Sequence, residues 1–109
     1  FYASEQDWDK EFIQQIISQL NRDVYITIDL DVFDPSIMSA VGNPVPGGIG
    51  WYPMLNLLRS VTNERRIVGF DVVELNPREG PDACAFLSAQ LVYKLMGYAV
   101  GQKGNPLAP

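Results

Sequence analysis

Apolar positions along the chain switch between helical and strand spacing. Trp8, Phe12, Ile13, Ile16, Ile17 and Leu20 recur at intervals of three and four, while Asp7, Asp9, Lys10, Gln14 and Gln15 fall elsewhere. That spacing predicts an amphipathic helix over 4–20, with Ser4 and Asp7 at capping-box distance. Next, Val24, Ile26 and Ile28 alternate with Tyr25 and Thr27, and both sets are apolar or β-branched. Such a run predicts a strand covered on both faces. A Gly/Pro-rich loop, 35–50, follows. Pro53 suits the first turn of a second helix over 51–61, whose apolar face is Met54, Leu55, Leu57, Leu58 and Val61. A polar turn, 62–66, leads into a second strand over 66–75, marked as buried by Ile67-Val68 and Val72-Val73. Asn76-Pro77 forces a turn. Gly80-Pro81-Asp82 then opens a third helix running to about Tyr98, with Phe86, Leu87, Leu91, Leu95 and Tyr98 as its expected buried stripe. Residues 101–109 read as a loosely ordered tail. The order helix–strand–loop–helix–strand–helix predicts an α/β fold with parallel strands joined by a right-handed crossover. Two strands alone do not make a stable sheet, so further strands are expected outside this stretch.

Composition narrows the classes. The chain has 109 residues, enough for one small domain, with 47% hydrophobic residues and a net charge of −5. No basic patch supports a nucleic-acid role. No continuous apolar run approaches the roughly 18 residues that span a bilayer, so no membrane segment is expected. A single cysteine, Cys84, excludes an internal disulfide framework and suits a reducing, cytoplasmic compartment. The chain contains no histidine and opens Phe1-Tyr2-Ala3. Both features lead us to expect a piece of a longer protein.

Candidate chemistry gathers where the first strand ends. Asp29, Asp31 and Asp34 arrive within six residues. On a continuing strand, residues two apart face the same side, so Asp29 and Asp31 are expected to converge. Two close carboxylates repel, and a hard divalent cation between them removes that penalty. The structural alternative is that these acids cap the following turn. The loop 35–50 is expected to be an active-site wall, since Gly42, Gly47, Gly48 and Gly50 allow positive φ or close approach to a ligand. Glu74 closes the second strand. Asp71 lies within that strand's apolar run, so its charge needs a partner.

The arrangement Thr27-x-Asp29-x-Asp31-x-x-Asp34-Pro35, with a loop ending Asn43-Pro44-Val45-Pro46-Gly47-Gly48, resembles the second metal-binding signature of the ureohydrolases. That family includes arginase, agmatinase, guanidinobutyrase and formimidoylglutamase. Phe70-Asp71-Val72-Val73-Glu74-Leu75-Asn76-Pro77 resembles its glutamate-bearing strand end, and the Pro-Gly-Gly ending is most like agmatinase. The resemblance implies that residues 1–100 are the carboxyl-terminal part of a single ureohydrolase domain, within a three-layer α/β/α arginase-like fold built on a parallel sheet.

It also implies the chemistry. Asp29 would bridge a pair of Mn2+ ions and Asp31 would bind one of them, the metals activating a water for attack on a guanidinium carbon. Glu74 would hold the substrate guanidinium, with Thr27 and Asp71 supporting the ligands. The expected reaction is agmatine to putrescine plus urea. The expected partners are a small cationic guanidino substrate, the remainder of the domain, and further copies in a trimer or hexamer. Two departures stand out: Thr27 replaces the usual serine, and Val41-Gly42-Asn43-Pro44 replaces Thr-Gly-Thr-Pro. The histidine-bearing ligand segments are absent, so this chain alone is expected to be inactive. Two alternatives remain: a non-catalytic half-subunit, or another hydrolase on the same fold. Against the half-subunit, a purely structural role would not need Asp29, Asp31 and Glu74.

Overall fold

A computed structural model describes residues 9–101. Three helices and two strands follow in order: α1 (Lys10–Ser18), β1 (Asp23–Asp29), α2 (Trp51–Glu64), β2 (Arg66–Val73) and α3 (Asp82–Val100). β1 and β2 pair in parallel, as expected of an α/β chain. The register shifts by one residue after Val24, which pairs with Ile67, while Tyr25 pairs with Gly69. Val68 is the extra residue and is 56% exposed.

Within α1, Asp9 is the N-cap and its carboxylate accepts from the Phe12 amide at 2.8 Å. The Ser4–Asp7 capping box and Trp8 lie outside the described residues. Ile13 and Ile17 are buried, as their spacing requires. α2 runs three residues past the expected stop at Val61. The Thr62 hydroxyl donates to the Arg59 carbonyl at 3.0 Å, which lets a buried threonine continue the helix. Arg65, read as part of a polar turn, instead reaches back to α1. Its Nη2 donates to the Ile17 carbonyl at 3.0 Å and its Nε to the Leu20 carbonyl at 3.3 Å. The Ile17 carbonyl, in the last turn of α1, also accepts from the Leu20 amide at 3.0 Å, so Arg65 adds a charged donor to the chain just past the helix end.

The core lies between the helices and one face of the sheet. Ile26 and Ile28 from β1 meet Ile13, Ile17, Met54, Leu58, Val61, Leu91 and Leu95. The second face, expected to be covered, is open among the described residues. Tyr25 is 58% exposed, and Thr27, Asp29 and Val73 are also exposed.

α3 buries Leu91 and Leu95 and packs Leu87 and Tyr98 against the core as expected, but departs at Phe86. Its buried side is Cys84, Ser88, Leu91 and Leu95, whereas Phe86 is exposed with Tyr93 and Met96. The helix is apolar on nearly every side, so spacing alone could not show the outward turn of Phe86. By length and averaged composition it would also suffice to cross a membrane, although Asp82, Ser88, Gln90 and Lys94 interrupt any continuous apolar run. Most of the tail 101–109 falls outside the described residues.

Candidate active site

The acid pair is not strand-spaced. β1 stops at Asp29 because its Oδ1 accepts from the Asp31 amide at 2.9 Å, closing a 3-10 turn over Leu30–Val32. Leu30 is fully buried and anchors that turn. Asp31 therefore follows Asp29 through a capped turn, not along the two-residue repeat of a strand. The structural alternative for Asp29 is thus realised in one of its oxygens. Asp31 differs: its Oδ1 is buried and has no hydrogen-bond partner. A carboxylate oxygen in that condition calls for a donor or a cation.

Asp34 is drawn away into the loop. Its Oδ2 accepts from the Ser36 amide at 3.0 Å and its Oδ1 from the Gly47 amide at 3.1 Å. The Ser36 hydroxyl and amide, with a smaller part from Gly47, hold its carboxyl below the ordinary range. Asp34 ties the loop's two ends together, and the Asp34 amide adds a bond to the Ile49 carbonyl at 2.9 Å. Gly48 makes this crossing feasible, because a Cβ there would lie 2.5 Å from Asp34 N and from the Phe33 carbonyl carbon. Only Gly47, among the loop glycines, has a positive φ, +82°.

Glu74 stands at the neighbouring strand end. Asp29 pairs with Val73, so Glu74 is the next residue beyond that rung. Its φ is +78°, a left-handed conformation that costs a non-glycine residue about 1–3 kcal/mol. The loop holds the two residues that follow it. Val41 bridges Leu75, and the Asn76 amide donates to the Ala40 carbonyl at 2.7 Å. A Cβ on Gly42 would lie 3.7 Å from Glu74 Oε2, so the loop runs directly beside the carboxylate. The stretch expected to wall the site does flank Glu74.

Two rungs below Asp29, on the same face, Thr27 pairs with Asp71. Asp71 does have a hydroxyl partner, but it is Tyr25, whose hydroxyl donates to Asp71 Oδ2 at 3.0 Å. Asp71 Oδ1 is buried without a partner. The Tyr25 phenol is held above its ordinary pKa, chiefly by this hydrogen bond and then by burial and the Asp71 charge. The Tyr25 ring lies across Gly69, where a Cβ would come within 2.8 Å of it. Sequence reasoning missed Tyr25. The signal was a strand glycine two residues before an acid, readable only with the shifted register in hand.

Elsewhere, Trp51 packs against Phe33 with ring centroids 6.4 Å apart, while Tyr52 is 79% exposed. Cys84 is buried with its sulfur 3.9 Å from the Ser39 hydroxyl, which suits a packing role.

Residues 2–97 match the arginase family. The chain belongs to that family. It is 44% identical over 96 residues to the N(1)-aminopropylagmatine ureohydrolase of Synechocystis sp., covering 88% of this chain and 30% of that protein. It is 41% identical over 92 residues to the enzyme of the same name from Thermus thermophilus, covering 84% of this chain and 30% of that one. Among solved structures, agmatine ureohydrolase of Thermoplasma volcanium superposes with a TM-score of 0.70 at 30% identity, covering 85% of this chain and 32% of its own. Proclavaminate amidino hydrolase from Streptomyces clavuligerus gives 0.73 at 29% identity, covering 80% of this chain and 29% of its own. This arginase-family chain thus spans about 30% of the length of the curated relatives it matches.

The manganese pair implied by the family can be tested against the residues present. Asp29 and Asp31 are hard oxygen donors suited to Mn2+, and the buried, partnerless Asp31 Oδ1 is an oxygen of the kind a cation satisfies. The donors fit as a share of a site. Among the described residues no three His, Cys, Asp or Glu side chains gather to hold a metal.

Proposed function

We propose that this chain is the carboxyl-terminal part of a manganese ureohydrolase acting on an agmatine-type amine: agmatine itself, or its N1-aminopropyl derivative. The observation that carries the reading is the placement of Asp29, Asp31 and Glu74 at adjacent ends of two parallel strands in an arginase-family chain. Asp29 and Asp31 would serve as carboxylate ligands to the manganese ions. When bound, the metals supply the Lewis acidity that brings a water's pKa near neutrality.

The chain's own residues do the rest. Glu74, fixed in a strained conformation between loop and strand, offers two acceptor oxygens to a planar guanidinium. That pairing is bidentate, so it sets the orientation of the guanidinium carbon as well as its affinity. The loop beside Gly42 restricts the same space. Attack by water and loss of the amine then give urea. The relatives named for N(1)-aminopropylagmatine at 44% and 41% identity support an amine substrate over an amino acid. The remainder of the domain would supply the other ligands, so this chain alone would release no urea. A cytoplasmic homo-oligomer is part of the same reading.

Urea release by the full-length protein with Mn2+, across agmatine, N1-aminopropylagmatine, arginine and guanidinobutyrate, tests this. The amines should be the best substrates by kcat/KM. Glu74→Gln should lower kcat/KM about 10–150-fold, as loss of a charge-assisted bond of about 1.5–3 kcal/mol requires. A preference for arginine would overturn the substrate, and no urea from any of them would overturn the activity.

A further inference from the structure

Asp71 is level with Thr27, two residues or about 6.6 Å back along the strand from Asp29 on the open face of the sheet, and Tyr25 lies two residues further back, level with Gly69. The Tyr25 hydroxyl fixes one Asp71 oxygen at 3.0 Å, while the other is buried and lacks a partner. An ionised carboxylate left in that state is costly, so the open oxygen awaits a donor. The chain has no histidine. Metal-bound imidazoles nearly always donate their second N–H to a carboxylate, carbonyl or water, which fixes the ring and its tautomer.

We infer that Tyr25 and Asp71 form a positioning pair, in which Tyr25 locks the Asp71 carboxylate so that its free oxygen accepts the N–H of a metal-ligating imidazole contributed by the rest of the enzyme. The inference rests on the metal centre proposed above. It assigns Tyr25, through Asp71, a part in metal affinity without contact with substrate. Gly69 belongs to the device, since its missing side chain lets the Tyr25 ring cross to Asp71.

The test uses full-length Tyr25→Phe, Asp71→Asn and the double variant. Tyr25→Phe keeps the ring over Gly69 and removes only the hydroxyl. Mn2+ affinity is measured by titration of the apo-protein, and folding by thermal denaturation. Asp71→Asn should weaken Mn2+ binding about 10–100-fold, the range for such outer partners. Tyr25→Phe should weaken it about 3–10-fold. The double variant should match Asp71→Asn alone, because Tyr25 acts through Asp71.

A second readout is the titration of labelled tyrosine by NMR. The Tyr25 resonance, identified by its loss in Tyr25→Phe, should titrate above the ordinary range and return to it in Asp71→Asn. Folded variants that bind Mn2+ as tightly as the wild type would overturn the inference, leaving a backbone N–H or water as the partner of Asp71. If Asp71→Asn does not fold, Tyr25→Phe alone decides. Loss of Mn2+ affinity in a protein that releases no urea would sink the proposed activity and leave the positioning pair standing.

Discussion

Glu74 combines two demands in one residue. Its carboxylate is the group proposed to meet the guanidinium, yet its backbone adopts a φ of +78° that glycine would hold without cost. The conformation survives because Ala40 and Val41 bond the residues that follow it. Glu74→Gly should therefore be more stable than Glu74→Ala by about 1 kcal/mol, reversing the usual preference for alanine. Urea denaturation of the two variants measures this directly. Equal stabilities would mean that the surrounding loop, and not the residue, carries the strain. Asp34 shows the opposite arrangement, with its acid engaged in holding the loop ends. Its folded pKa lies below the ordinary carboxylate value of 3.8. Its contribution is therefore complete above that value and is lost only as the pH falls through the depressed one.

At the scale of elements, Arg65 links helices that no local pattern connects. It lies 45 and 48 residues from the carbonyls it bonds. Arg65→Ala should cost about 1–3 kcal/mol by leaving helix-end carbonyls without their charged donor. Arg65→Lys should recover only part of that, since one ammonium does not reproduce the guanidinium's spread of donors. Calorimetric melting of both variants checks the order.

This contact also marks where sequence reasoning stops. Helix and strand periods were legible in Ile13 and Ile17, in Ile26 and Ile28, and in Leu91 and Leu95, because burial repeats with the backbone. The capping of Asp31 by Asp29 was not, because a side-chain bond ended the strand at Asp29, two residues short of Asp31. The outward turn of Phe86 was not legible either, since Phe86 and Leu91 are equally apolar and only the neighbouring elements choose between them. The proposed site residues could be named from the motif. The Tyr25–Asp71 bond could not, because it depends on which residue of β2 faces β1.

For the whole molecule, the open sheet face and the outer side of α3 set the expectation. Tyr25, Val68, Val73, Phe86, Tyr93 and Met96 all stand at 39% exposure or more in the chain by itself. Apolar surface on this scale normally marks an interface. The 109-residue chain alone should self-associate and bind a hydrophobic dye, and the full-length protein should do neither to the same degree. Sedimentation velocity with dye fluorescence tests both. A monodisperse monomer without dye binding would show that these surfaces need no cover.

The extra residue at Val68 acts as a reading frame for the second strand. Upstream of it, position 24 is level with 67; downstream, position 25 is level with 69. Had the pairing continued residue for residue, Ile28 would stand beside Asp71 and Thr27 beside Phe70. The pleat would then turn a carboxylate into the core and a phenyl ring out of it. Every residue from Gly69 to Val73 takes its inward or outward sense from that one looped-out position. Flattening the bulge while keeping Val68 would therefore be a frameshift in space: the same letters would remain, in the same order, facing the wrong way.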